Sequence, residues 1–90
     1  MIPGGEPRAV PLSLSVRGQT VDEALEEVDR YLDEATLAGL DQVTLIHGKG
    51  TGALRRAIAA FLRGHPHVRA VRGGGASEGG EGVTVVQLRG

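Results

Sequence analysis

Ile46-His47-Gly48-Lys49-Gly50-Thr51-Gly52-Ala53-Leu54-Arg55 is the stretch on which the reading of this chain turns. Val43-Thr44-Leu45-Ile46 leads into it. That run is too short for a helix and rich in β-branched residues, which fits a buried central strand. Beyond it, Ala53 to Arg63 sets Leu54, Ile58, Phe61 and Leu62 on one helical stripe, and Gly64 and Pro66 stop the helix. The order strand, glycine loop, helix predicts an α/β domain with the loop at the C-terminal edge of its sheet, where such sheets hold ligands.

The pattern extends in both directions. Upstream, Leu12, Leu14 and Val16 alternate with Ser13, Ser15 and Arg17, the period of a strand with one apolar face, and Gly18 ends it. Thr20-Val21-Asp22-Glu23 has capping-box spacing. Val21, Ala24, Leu25, Val28, Leu32 and Ala35 then form a helical stripe closed by Gly39. Glu26 and Glu34 stand four residues either side of Arg30 and are spaced to pair with it. Downstream, Val68 to Arg72 reads as a short strand. Residues 73–82 read as a flexible loop with six glycines, and Val83 to Leu88 as a last strand. The order β-α-β-α-β-β predicts a two-layer sandwich, with both helices on one face of a four-stranded mixed sheet that ends in a hairpin. Residues 1–10, with two prolines and two glycines, read as a linker or flexible arm. Residues 11–90 read as the domain.

Ninety residues are the size of one small domain, and 40% hydrophobic content is enough for an aliphatic core. There is no cysteine, which excludes a disulfide framework, a thiol nucleophile and a Cys-ligated zinc. No run approaches the roughly 18 apolar residues of a membrane helix, and the start does not read as a signal peptide, so a cytoplasmic protein is expected. The net charge of −1 argues at first sight against nucleic acid. Its distribution argues the other way. Residues 1–46 hold three arginines against nine acids, a net −6, while residues 47–90 hold seven bases against two acids, a net +5.

The basic half centres on the glycine loop. Arg55 and Arg56 fall in the first helical turn, where the helix dipole disfavours cations unless an anion is bound there. Gly48, Gly50 and Gly52 let a phosphate approach the backbone closely, and Lys49, Thr51, Arg55, Arg56 and Arg72 are placed to hold one. The loop is not a Walker A motif, because Gly50 follows Lys49 where Ser or Thr is needed. Nor is it a dinucleotide fingerprint, because Ala53 follows G-x-G-x-G. His47 and Arg17 end two parallel strands at the same edge. They are the expected catalytic pair, the imidazole as general acid or base and the guanidinium supporting a pentacoordinate phosphate. His65-Pro66-His67 could hold a metal but has no third ligand near it in sequence. No carboxylate cluster suits a two-metal nuclease, so a Mg or Mn ion is left open as a cofactor without ligands assigned to it.

The motifs together resemble one family. Leu14-Ser15-Val16-Arg17-Gly18 with Thr20 to Ala24 resembles the LDLR/HGxxxxEA opening of the Smr (small MutS-related) domain. His47 to Arg55 resembles its HGxGxGxLR signature, and Gly82 to Leu88 its closing glycine and TVVxL strand. The likeness spans residues 12–88. It implies a βαβαββ fold similar to the C-terminal domain of translation initiation factor three, with the last strand between the second and third. It also implies a nicking endonuclease with little sequence preference. Such domains commonly end a longer MutS-like ATPase of the second paralogue type, which supplies oligomerisation through its other domains. The implied setting is suppression of DNA recombination and repair, on DNA that includes branched forms; RNA or a stalled ribosome is the alternative partner. The family motif usually has Asp where this chain has Ser15, which favours the competing expectation of a binding module without chemistry. A third expectation is a protein-interaction domain using Glu26, Glu27 and Glu34 of the acidic helix.

Overall fold

The computed structural model describes residues 9–89. Its elements are β1 (Ser13–Ser15), α1 (Val21–Leu37), β2 (Gln42–Ile46), α2 (Ala53–Leu62), β3 (Val68–Gly73) and β4 (Val83–Leu88). The sheet order is β1-β2-β4-β3. β1 and β2 run parallel, joined by α1 as a crossover, whereas β4 is antiparallel to both of its neighbours. The architecture is therefore the expected open α/β sandwich, with the last strand inserted beside β2.

α1 starts as its sequence dictates. The Thr20 hydroxyl accepts the Glu23 N–H at 3.2 Å, and the Glu23 carboxylate accepts the Thr20 N–H at 3.1 Å. One face of the sheet supports both helices. Leu14, Leu45 and Thr84 stand abreast on it, with Val43 beside Val86. Leu45, Val43, Val86 and Val16 join Ala24, Val28, Leu32, Ile58 and Leu62 in one cluster at 0–1% exposure. Burial of each large aliphatic side chain here contributes about 1.5–3 kcal/mol before chain entropy is counted. On the opposite face Ser13, Thr44 and Val85 align, followed by Ser15, Ile46 and Val83. On that second face Val83 and Val85 are nonetheless buried.

Several expectations are corrected. The first strand is three residues long. Pairing with β2 ends where the Leu12 carbonyl accepts the Thr44 N–H, so Leu12 stands 66% exposed instead of packing. Tyr31, absent from the predicted stripe, is buried, and its hydroxyl donates to the Pro11 carbonyl. Val21, assigned to the stripe, lies at the exposed helix start. Arg30 makes no ion pair with Glu26 or Glu34 among the described residues. Val10 packs on the core; the first eight residues of the expected linker or arm lie outside the described ones. Residues 73–82 are not a featureless loop. They make two short 3₁₀ turns, Ala76–Glu78 and Gly80–Gly82, folded over Val83. Only glycine fits at position 74, where a Cβ would stand 2.2 Å from Val83 Cγ2.

Candidate nucleic-acid interface

The glycine loop rises from the end of β2 and is fixed to the start of β4. The Gly82 carbonyl accepts both the His47 N–H (3.0 Å) and the Gly48 N–H (2.9 Å). Gly48, Gly50 and Gly52 have φ of +78°, +33° and +85°, while Lys49 and Thr51 between them do not enter the positive-φ region. Alternation of left-handed and ordinary residues turns successive N–H groups to one side, which is the geometry of an anion-binding nest.

The nest leads into the N-terminus of α2, whose N-cap residue Gly52 has no side chain to satisfy the first-turn N–H groups. The Thr51 hydroxyl accepts the Ala53 N–H at 3.3 Å. Gly52 is needed for its left-handed φ. A Cβ there would lie 3.0 Å from an Arg56 guanidinium nitrogen, which would have to give slightly, and 3.9 Å from one of Arg55, an ordinary contact. Both arginines thus fold back over the positive end of their own helix. Helix propensity does not explain that placement, and an anion would. A cleft of about 420 Å³ opens here, lined by His47, Gly48, Gly50, Thr51, Gly52 and Arg55 among others.

His47 is 5% exposed. Its Nδ1 lies 2.9 Å from the Gly48 carbonyl and its Nε2 2.8 Å from Thr84 Oγ1. A carbonyl only accepts, which assigns the proton of the neutral ring to Nδ1 and leaves Nε2 accepting from the Thr84 hydroxyl. A second proton on Nε2 is compatible with the same contacts, because the hydroxyl can turn from donor to acceptor. The imidazole therefore holds Gly48 and β4 together. Sequence reading did not single out Thr84, although it is the one polar residue in the inward series Thr84, Val86, Leu88.

The structure does not bring Arg17 and His47 together. Arg17 lies on the other side of Gly48, with its Cγ 3.3 Å from where a Gly48 Cβ would be and its Nε 3.4 Å from Ser15 Oγ. It lines a second cleft, of about 450 Å³, with Lys49, Glu78 and Gly82. Val16 packs with the helices, while Arg17, beyond the end of β1 in the turn closed by the Gln19 N–H on the Val16 carbonyl, reaches back to Ser15 on the opposite face. Arg72 is not an unpaired cation. Its two terminal nitrogens bind the two oxygens of Glu78 at 2.7 and 2.8 Å. That fork, together with the Gly75 N–H, holds the Glu78 carboxyl at about 2, well below its usual 4.5. Glu78 was also missed, being one of two acids in a glycine-rich run. His65 and His67 do not converge on a shared point. Their Nε2 atoms bind Asp29 (2.9 Å) and Asp33 (2.7 Å) of α1 separately.

Comparison with known proteins agrees with this architecture. The family model described as the Smr domain matches residues 14–89. The Endonuclease MutS2 of Caldicellulosiruptor bescii is 60% identical over 80 residues, which is 89% of this chain and 10% of that protein. The Endonuclease MutS2 of Halalkalibacterium halodurans is 52% identical over 85 residues, 94% of this chain and 11% of that protein. The chain thus spans about a tenth of the length of the curated relatives it matches. The crystal structure of the Smr domain of Thermus thermophilus MutS2 superposes with a TM-score of 0.85 at 51% identity, covering 87% of this chain and 98% of that one. YdaL, a stand-alone small MutS-related protein from Escherichia coli, gives 0.83 at 30% identity, covering 88% and 65%. With three motifs in order, an Smr topology and a family match over most of its length, this chain belongs to the Smr domain family.

Proposed function

We propose that this chain is a nucleic-acid-binding nuclease domain that grips a backbone phosphate on the Gly48–Gly52 loop and nicks the phosphodiester with little sequence preference. One observation carries the reading: the nest runs into a helix end whose N-cap, Gly52, supplies no side-chain cap and over which Arg55 and Arg56 are already folded. Amides of Gly50, Thr51 and Gly52 would cradle the phosphate, Gly48, whose own N–H is held by Gly82, would let the backbone come close, and the two guanidiniums would neutralise the charge. His47 lines the same cleft and would serve as the proton-transferring group by turning Nε2 from the Thr84 hydroxyl to the substrate. Neither base edges nor aromatic stacking enter this grip, which suits weak sequence preference. The name of the MutS2 relatives supports an endonuclease. Within a longer protein of that kind, the domain would act on DNA, branched forms included, in suppressing recombination, with RNA or a ribosome as the other candidate partner.

The second reading, a binding module without chemistry, is favoured by a specific observation as well: both His47 nitrogens are engaged. Nicking of supercoiled plasmid and cleavage of a matched RNA separate the two. The nuclease reading expects nicking by the wild-type chain, with large loss in His47→Gln that still melts cooperatively. Salt-sensitive binding with no cleavage above background would establish the binding module instead.

A further inference from the structure

We propose that the cleft on the far side of Gly48 is a second phosphate subsite, so that the domain grips two successive phosphates of one strand, one on each side of the glycine ridge. The proposal rests on the phosphate reading of the loop and extends it. Gly48 walls both clefts. Having no side chain, it leaves the ridge between them low enough for a sugar-phosphate backbone to cross.

The second cleft is positively charged for a reason that can be traced residue by residue. Arg17 and Lys49 line it. Arg17 reaches only the neutral Ser15 hydroxyl at 3.4 Å, and neither base has a carboxylate partner among the described residues. Glu78, the acid in this cleft, is already taken by both guanidinium nitrogens of Arg72 and by the Gly75 N–H. Two cations therefore face the cleft with no anion of the chain committed to them. Ser15 has a part in this. It lies on the same sheet face as Arg17, and a carboxylate at that position would stand where the hydroxyl meets Nε and would neutralise the arginine. A neutral residue there leaves Arg17 available to an anion from outside. Arg17 is accordingly assigned to the neighbouring phosphate, and the loop on the His47 side to the first.

A ligand with two linked phosphates must then outperform a ligand with one, because the second contact becomes intramolecular. Thymidine 5′-monophosphate and the 5′-phosphorylated dinucleotide pTpT, titrated at low salt into the 90-residue chain with amide shifts as readout, test this. The wild type should bind pTpT about tenfold or more tighter than the mononucleotide. Arg17→Ala and the surface change Ser15→Asp should each cut that ratio to about twofold, the statistical value for two equivalent phosphates on one subsite, with mononucleotide affinity kept. Arg55→Ala/Arg56→Ala should weaken both ligands. A ratio unchanged in both Arg17→Ala and Ser15→Asp would overturn the second subsite and leave the first standing. If neither ligand shifts the amides of residues 48–55 in the wild type, the phosphate reading itself fails, and the second subsite with it.

Discussion

Gly52 and Tyr31 show how single side chains, or the lack of one, set what this domain can do. At Gly52 the backbone is left-handed, and an Arg56 guanidinium nitrogen stands 3.0 Å from where a Cβ would be. Gly52→Ala should cost about 1–2 kcal/mol from the left-handed conformation alone. It should also disturb the left-handed turn that aims the loop amides and nudge the Arg56 guanidinium aside, so that affinity for a short oligonucleotide falls by more than the stability loss explains; thermal melts and anisotropy titrations measure the two. Tyr31 acts on stability. Its burial pushes the phenol up to about 12 from the usual 10.0. The folded state thus retains the phenol proton to higher pH than the unfolded chain does. The contribution is fully present below pH 10 and is lost as pH rises towards 12. Tyr31→Phe should remove that alkaline dependence, which urea melts between these limits would reveal. Neither residue's role was legible in the sequence to the same degree. Three glycines alternating before a helix announce a loop that needs them. A single tyrosine among charged residues gives no sign that its hydroxyl will find the Pro11 carbonyl from twenty residues away.

Among the elements, local chemistry fixed most of what sequence could read. Capping box, apolar stripes and the β-branched run at Val43 to Ile46 produced α1, α2 and β2 close to their observed bounds. The elements misread are those shaped by distant contacts. β1 is short because its pairing with β2 stops at Leu12, and the 73–82 segment is ordered by Val83 and by the Arg72–Glu78 fork. Paired placement of Arg17 and His47 failed for a related reason. Both follow parallel strands, but His47 turns inward to Thr84, whereas Arg17 sits in the turn after Val16 and reaches Ser15 on the other face. The fork carries its own prediction. Glu78→Gln should release Arg72 and loosen the turn that holds the Gly75 N–H at 2.9 Å from the carboxylate. Exchange of the Gly75 amide should quicken. The slope of log K against log salt for single-stranded DNA should steepen by about 0.7, one more phosphate contact's worth.

Across the whole molecule, a net charge of −1 conceals a division of labour. Much of the acid lies on α1, and two of its aspartates are committed to His65 and His67, which tie the helix to the segment between α2 and β3. Arg17, Lys49, Arg55 and Arg56 gather around the glycine loop, and the sheet's helix-bearing face supplies the rigid floor from which that loop rises. The same order of elements that builds the core therefore sets the basic edge apart from the acidic helix. The central claim is that this edge grips backbone phosphate through the loop and the start of α2. The most direct measurement is the salt dependence of binding to a fluorescein-labelled ten-nucleotide thymidylate, comparing the wild type with Arg55→Ala/Arg56→Ala. Loss of the two arginines should weaken binding and make the slope of log K against log salt shallower by about 1.4, two phosphate contacts at roughly 0.7 each. An unchanged slope in a variant that still folds would contradict the claim.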